Sequence, residues 1–316
     1  MFWSSWFLAG LAVTLAWPVP VLLSRAQWPA RAPFPAMVLW QSIALAGGLS
    51  MIGAMLCYGI VPLGDNLAAG LHGLLRIVTG RESLDNLGLL HAFALSAAAL
   101  LSAHLVFTLW LTYFRINRQR SRHRDLLNLL SSPAGDRPDT LVINHEAPVA
   151  YCLPGGSRSV TVLSDGLLTL LSPEELRAVL LHEQTHLAQR HHLLLWAFAA
   201  WRSALPWLPT SRLAQRAVSS LIEIMADDVA LRSVGKSTLV TAIALVASGP
   251  ARLPAASLVD AAAQQIDTPE TTSARLGRLL TPAPPLGPGL QAVVVAAALL
   301  LLAVPTALLL VPGLFS

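Results

Sequence analysis

The chain has 316 residues, of which 54% are hydrophobic and only 12% are charged, and its formal net charge is +4. The mean hydropathy of +0.60 is far above that of an ordinary soluble domain, so the composition indicates a membrane protein. The chain contains two cysteines, Cys57 and Cys152, which excludes a disulfide framework and a cysteine-based metal site.

Four segments are long and apolar enough to cross a bilayer. Three of them, residues 2–24, 35–63 and 87–114, contain no lysine, arginine, aspartate or glutamate. The fourth, Leu290–Val311, comes after the last charged residue, Arg278. The first segment has no basic leader and is followed by more membrane, so we interpret it as an anchor and not as a cleaved signal peptide.

Basic residues in the loops determine the predicted orientation. The loop after the first span carries Arg25 and Arg31 without an acidic residue, and five arginines follow the third span before Asp125. Because cytoplasmic loops are rich in Lys and Arg, we expect the N-terminus outside, residues 115–285 inside and the C-terminus outside. The five arginines lie directly beside the membrane, which favours contact with anionic lipid over nucleic-acid binding. These arginines are Arg115, Arg118, Arg120, Arg122 and Arg124.

The segment after the third span has the pattern of a small domain with helices and strands. We expect Leu126–Leu130 to continue a helix that leaves the membrane, and residues 133–139 to form a linker. Two short runs, residues 141–143 and 159–163, are rich in β-branched side chains and predict strands of a small sheet, with a turn at Pro154-Gly155-Gly156 between them. In the outer loop, Leu67–Val78 is apolar enough to lie on the membrane surface as a helix.

A helix with a metal-binding pattern follows these strands. Ser172-Pro173-Glu174-Glu175 predicts its start, with Ser172 as N-cap and Glu175 completing a capping box. His182-Glu183-Gln184-Thr185-His186 lies further along the same helix. We expect this helix to continue through Leu193–Trp201, a stretch that is apolar but too short for a fifth span.

The spacing within this helix points to zinc chemistry. Because residues four apart share one helix face, His182 and His186 can bind one tetrahedral Zn²⁺. Glu183 is then close enough to deprotonate the attacking water.

The next predicted helix, Leu213–Ser233, supplies acidic partners for this site. Glu223 and Asp227 are four residues apart on one face and stand among apolar neighbours. Zinc held by two histidines takes a third protein ligand when one position is kept for water, and Glu223 suits that role. Asp227, one turn later, can accept the free N–H of a ligand histidine and fix its tautomer.

The segment from Ala150 to Ala230 resembles the membrane zinc metallopeptidases of the M56 family, which includes the BlaR/MecR signal transducers. That family shares with the M48 peptidases an HExxH helix followed by an ExxxD helix, and it has the same order of spans and protease segment. The resemblance implies His182, His186 and Glu223 as zinc ligands, Glu183 as catalytic base and Asp227 as support for a ligand histidine.

The chain also departs from this family in two places. The M56 helix commonly carries Asp where this chain has His191, so the roles of His191 and the neighbouring His192 stay open. The antibiotic-sensing members continue into an extracellular penicillin-binding domain, whereas this chain stops at Ser316, so we do not expect a β-lactam sensor.

The expected fold is an α-helical membrane protein with four transmembrane helices and a cytoplasmic α+β, gluzincin-like zinc metalloprotease domain. The expected divisions are a membrane domain (residues 1–114), the protease domain (115–285) and a fourth transmembrane helix (286–316). The expected function is a zinc endopeptidase in a bacterial plasma membrane that cuts a cytoplasmic or membrane-proximal protein. The resemblance implies a BlaI-type transcriptional repressor as the substrate.

Two alternative functions stay open. One is an M48-type quality-control protease that acts on damaged membrane proteins, and the other is a non-catalytic signalling scaffold with structural zinc. Glu183 argues against the scaffold, because a structural zinc site has no use for a base. The residue that stabilises the oxyanion is also open between Tyr151, His192 and Arg275.

Overall fold

The structure is a computed structural model that describes residues 1–83, 87–133, 139–155, 159–249 and 269–310. Four helical segments in it are long and apolar enough to cross a membrane, in the order that the sequence predicts. They are span 1 (Phe2–Ser24), span 2 (Pro33–Leu63), span 3 (Leu89–Leu130) and span 4 (Pro288–Leu310). Most of the predicted linker, Gly156 of the predicted turn and the last six residues lie outside the described part of the chain.

Span 2 is the centre of the membrane bundle. It consists of helix α3 (Pro33–Ile60) and a 3-10 turn (Val61–Leu63), and a second 3-10 turn (Trp28–Arg31) precedes it. The helices of the other three spans pack around α3. They are α1 (Phe2–Ala16) with α2 (Pro18–Ser24) in span 1, α5 (Leu89–Leu130) in span 3 and α12 (Pro288–Leu310) in span 4.

Span 1 is broken at Trp17, because Pro18 lacks a backbone N–H and its ring clashes with the preceding helical turn. Between spans 2 and 3, the predicted surface helix forms as α4 (Leu67–Val78), capped by the Asn66 side chain.

A small mixed sheet follows α5, whose helix extends through Leu130 as expected. The strands are β1 (Ser131–Pro133), β2 (Thr140–Ile143), β3 (Ala150–Leu153) and β4 (Val160–Ser164). Their order is β1-β2-β4-β3, with β2 parallel to β4 and both outer strands antiparallel to their neighbours. The two predicted strands are β2 and β4, whereas β1 and β3 were not predicted and contain no β-branched residue.

The remaining helices build the metal centre and its surroundings. They are α6 (Asp165–Leu170), α7 (Pro173–Ala188), α8 (His191–Ala204), α9 (Pro209–Ala230), α10 (Lys236–Ser248) and α11 (Pro269–Leu280). The predicted capping box of α7 is present. The Ser172 side chain accepts the backbone N–H of Glu175, and the Glu175 side chain accepts the backbone N–H of Ser172. The expectation that α7 continues through Leu193–Trp201 is wrong. The chain breaks after Ala188, where Arg190 takes a left-handed conformation with φ of 51°, and α8 starts as a separate helix.

Helices α8 and α9 form a hairpin that is inserted among the membrane spans. The turn that joins them, from Leu205 to Leu208, packs on apolar residues of spans 1, 2 and 3. These residues are Ala16, Met51, Leu101 and Leu105. Since Met51 and Leu101 lie in the middle of the apolar parts of their spans, the tip of the hairpin is at mid-membrane depth if the spans cross a bilayer. Glu223 lies about 21 Å further along α9, at 1.5 Å per residue.

Polar contacts hold the hairpin at this depth. The Nε2 atom of His104 on span 3 donates to the carbonyl of Ala204 at 3.0 Å. The hydroxyl of Thr210 lies 2.7 Å and 2.6 Å from the carbonyls of Leu15 and Ala16, which the break in span 1 leaves without helical partners. Burying a carbonyl without a hydrogen-bond donor is costly in an apolar surrounding. The hydroxyl of Thr210 supplies a donor for the free carbonyls at the break in span 1.

A close approach of the backbone also fits the hairpin against span 2. A Cβ atom on Gly48 would lie 2.9 Å from the ring of Trp201 on α8. Absence of a side chain at Gly48 therefore leaves room for the ring of Trp201 against span 2. Around this point, span 2 and the hairpin share one buried core of Ala36, Met37, Trp40, Ala44, Phe198, Ala214, Val218, Leu221 and Ile222.

Candidate metal centre

Three of the predicted site residues converge where α7 faces α9. The Nε2 atom of His182 lies 3.1 Å from Nε2 of His186 and 3.2 Å from Oε2 of Glu223. The distance between His186 Nε2 and Glu223 Oε1 is 3.4 Å. The side chains of His182 and Glu223 are only 9% and 6% exposed, so this group is buried except for one side of His186.

This spacing fits the donor set of a zinc ion. Nitrogen and oxygen ligands lie about 2.0–2.1 Å from Zn²⁺, so two ligands of a tetrahedral site are about 3.3 Å apart. The two imidazole nitrogens are 3.1 Å apart, and they lie 3.2 Å and 3.4 Å from the two different oxygens of the Glu223 carboxylate. One donor atom from each of the three residues lies within 4.8 Å of the others. Three protein ligands leave one position for water or substrate, the arrangement of catalytic zinc.

Two further charged residues, Asp227 and Arg275, contact the candidate ligands His182 and Glu223. The Oδ1 atom of Asp227 lies 2.9 Å from Nδ1 of His182, as its spacing from Glu223 predicts. Arg275 on α11 donates from Nε and Nη2 to both oxygens of Asp227, at 2.8 Å and 2.6 Å, and its Nη1 lies 3.0 Å from Oε2 of Glu223. Because Asp227 accepts the Nδ1 hydrogen, the Nε2 atom of His182 is the one that faces the other donors.

These contacts control the charge of each group in the metal-free protein. Burial lowers the pKa of His182, but hydrogen bonds to Asp227 and Glu223 outweigh burial and raise this pKa to about 10. Burial raises the pKa of Glu223, but the hydrogen bond and charge of His182 outweigh burial and lower it. Burial lowers the pKa of His186 to about 3. The metal-free group therefore contains an ionised Glu223, a neutral His186 and a proton on His182 that zinc has to displace.

Glu183 is half-buried on α7, the helix that packs against strand β3. Burial raises the pKa of Cys152 on β3 to about 11, a hydrogen bond to Thr161 partly opposes this, and the negative charge of Glu183 raises it further. Strand β3 therefore borders the metal centre.

The structure does not place the three candidate oxyanion donors at the open side of the group. Neighbouring residues of a strand point to opposite faces, so Tyr151 points away from the face of Cys152, and its hydroxyl lies 2.6 Å from Nε2 of His123. The guanidinium of Arg275 is engaged by Asp227 and Glu223. His192 lies beside Arg120 of α5, and burial together with the arginine charges lowers its pKa.

Sequence reasoning missed the roles of two residues at this centre. Arg275 is 48 residues beyond Asp227, and no spacing rule connects them. His191, whose role the sequence leaves open, is 1% exposed and lies against the far side of the His186 ring. A histidine close to the HExxH motif could have drawn attention to His191 in the sequence. Its contact with His186, however, depends on the break after α7.

The fold and this group define a helical membrane protein with a two-helix His-His-Glu centre suited to zinc. The sequence model of Peptidase family M48 matches residues 117–283, more than half of the chain, and the match includes both α7 and α9. The chain therefore belongs to peptidase family M48. Because M48 peptidases are zinc-dependent, membership supports a zinc metallopeptidase function. No curated protein and no solved structure matches the chain.

Proposed function

We propose that this protein is a membrane-embedded zinc endopeptidase that hydrolyses peptide bonds of protein substrates at the membrane surface. The observation that carries the proposal is the group formed by His182, His186 and Glu223, whose donor atoms lie within 4.8 Å of one another. The half-buried Glu183 follows His182 directly in the same helix. Membership of peptidase family M48 supports the same chemistry.

Each residue has a definite task in this reaction. Zinc bound by His182, His186 and Glu223 would supply a Lewis acid that polarises the scissile carbonyl and activates water. Glu183 takes a proton from the attacking water as the carbon–oxygen bond forms, and it gives that proton to the amine nitrogen as the carbon–nitrogen bond breaks. The products are a carboxylic acid and an amine. Asp227 and Arg275 keep His182 and Glu223 in the required orientation and charge state.

Strand β3 favours an extended polypeptide as the substrate. It is an outer strand, and within the described residues only β4 pairs with it. Its other edge has no strand partner in the described part of the chain, and an extended peptide that adds there would gain main-chain hydrogen bonds. Because β3 packs against α7, the helix that carries the catalytic base, such a peptide would pass the metal centre.

The orientation of the site decides which proteins it can reach. The arginines after span 3 favour a cytoplasmic metal centre, and the position of α8 and α9 among the spans favours substrates at or in the membrane. A reporter domain fused after Arg124 tests this orientation, and activity of that fusion only outside the cell would contradict it.

The M48 match favours the quality-control function, in which the enzyme removes damaged membrane proteins. An M56-type role, with a BlaI-like repressor as substrate, stays a prediction. The non-catalytic scaffold is disfavoured by the presence of Glu183 in the HExxH motif, because a structural zinc site has no use for a base.

A comparison of proteomes identifies the substrate and separates enzyme from scaffold. Three strains are compared: wild type, Glu183→Gln and a deletion. We expect full-length substrates to accumulate in both altered strains, because the nearly isosteric glutamine removes the base and keeps the fold. If the deletion has a phenotype that Glu183→Gln fully rescues, without any change in fragments, the scaffold function is correct. Accumulation of a small DNA-binding repressor would favour the M56-type role.

A further inference from the structure

His191 is a buried histidine that the peptidase mechanism does not use. It lies five residues after His186, and in a continuous α-helix two such residues are turned about 140° apart around the axis and cannot meet. The left-handed Arg190 breaks the helix between them, so the Nδ1 atom of His191 comes to lie 3.0 Å from Nδ1 of His186. The contact between the two rings is thus a product of the break.

The break has an energetic cost. Arg190 is the one non-glycine residue with positive φ in the part of the chain that the structure describes. A left-handed conformation is unfavourable for a residue with a Cβ atom, which is why glycine or asparagine usually occupies it. Conformations of this kind persist where the surrounding structure imposes them, and they concentrate at functional sites.

The donor and acceptor roles are fixed along the hydrogen bonds that join Gln189, His191 and His186. The Nε2 atom of His191 lies 2.9 Å from Oε1 of Gln189, an oxygen that can only accept, so Nε2 carries the hydrogen of the ring. A neutral His191 then has a lone pair on Nδ1. Nδ1 of His186 must donate to it, and the lone pair of His186 is left on Nε2, the atom that faces His182 and Glu223.

We propose that His191 is a positioning residue that fixes the tautomer and the ring orientation of His186 for metal binding. It does for His186 what Asp227 does for His182, with a neutral imidazole in place of a carboxylate. The inference rests on the proposed function in one respect, because it takes His186 to be a zinc ligand. It adds a residue of this chain whose effect on zinc affinity is measurable without any substrate.

The test measures zinc affinity of the purified full-length chain by competition with a chromophoric chelator. His191→Leu and His191→Phe remove the acceptor with two different shapes, and either serves if the other does not fold. His191→Asn keeps an acceptor oxygen at the place of Nδ1. His192→Leu is the matched control, because Nδ1 of this neighbouring histidine has no hydrogen-bond partner among the described residues.

We expect the apolar variants to bind zinc about 10–100-fold more weakly than wild type, as is typical when a partner of a ligand histidine is removed. We expect His191→Asn and His192→Leu to bind like wild type. With cobalt in place of zinc, the visible spectrum should change in the apolar variants and be restored in His191→Asn.

Two results overturn the inference while the proposed function stands. One is wild-type affinity in folded His191→Leu or His191→Phe, and the other is an equal loss in His191→Asn. A wild-type chain that binds no zinc overturns both the inference and the proposed site, so the two failures are distinguishable.

Discussion

Replacing Arg275 with methionine removes a guanidinium that two buried carboxylates share. Arg275 makes two hydrogen bonds to Asp227 and one contact of 3.0 Å to Glu223, and these residues are 1% and 4% exposed. The variant leaves two buried negative charges with the ligand histidines as partners. Removing one member of a buried ion pair usually costs about 3–5 kcal/mol, because the other charge cannot regain its hydration.

Arg278→Met is the matched control for this prediction. Arg278 lies one turn further along α11 and makes the same two-pronged contact with Asp228 of α9, at 2.7 Å and 3.1 Å. Its side chain and that of Asp228 are 26% and 33% exposed, so the pair is partly hydrated. We expect this variant to lose about 0–1 kcal/mol, the usual value for such pairs.

Thermal unfolding of the metal-free chain in detergent, followed by tryptophan fluorescence, measures the difference. We expect Arg275→Met to unfold at a clearly lower temperature than Arg278→Met. Since zinc also supplies positive charge beside Glu223, saturation with zinc should narrow the gap between the two variants. Equal losses in the metal-free state would refute the shared role of Arg275.

Two more predictions concern the proton on His182 and the packing of α8. Because the pKa of His182 is raised to about 10 in the metal-free protein, zinc binding near pH 7 should release a proton, and affinity should rise about tenfold per pH unit below pH 10. Calorimetry in two buffers of different ionisation enthalpy measures the release, and identical heats would contradict it. Gly48→Leu should destabilise the chain by about 1–3 kcal/mol, because its side chain would overlap Trp201. Gly10→Leu, in open space, should not, and equal melting of the two variants would show that α8 does not pack on span 2.

The parts of the site that local rules govern are predictable from the sequence. A capping box specifies the start of α7, and four-residue spacing places His182 and His186 on one face. The same spacing relates Glu223 to Asp227, and their apolar neighbours indicate that this face is buried. Membrane spans can also be predicted from the sequence, because the bilayer sets their length and composition.

Features that depend on tertiary packing escape such rules. Arg190 has no glycine signal for its left-handed conformation, so the separation of α7 from α8 and the position of His191 could not be expected. Leu193–Trp201 is too short to cross a membrane, but length rules say nothing of a hairpin whose surface is covered by other helices. Arg275 reaches Asp227 only through the packing of α11, which no local pattern contains.

Zinc content and peptide hydrolysis of the Glu183→Gln variant test the central proposal most directly. The purified wild-type chain and the variant are compared for bound zinc and for cleavage of an unfolded protein in detergent. We expect one zinc per chain in both, and hydrolysis about 10²–10⁴-fold slower in the variant, since the proton acceptor is lost while His182, His186 and Glu223 remain. Cleavage by zinc-loaded Glu183→Gln at the wild-type rate would contradict the role of Glu183, and a wild-type chain without zinc would contradict the site itself.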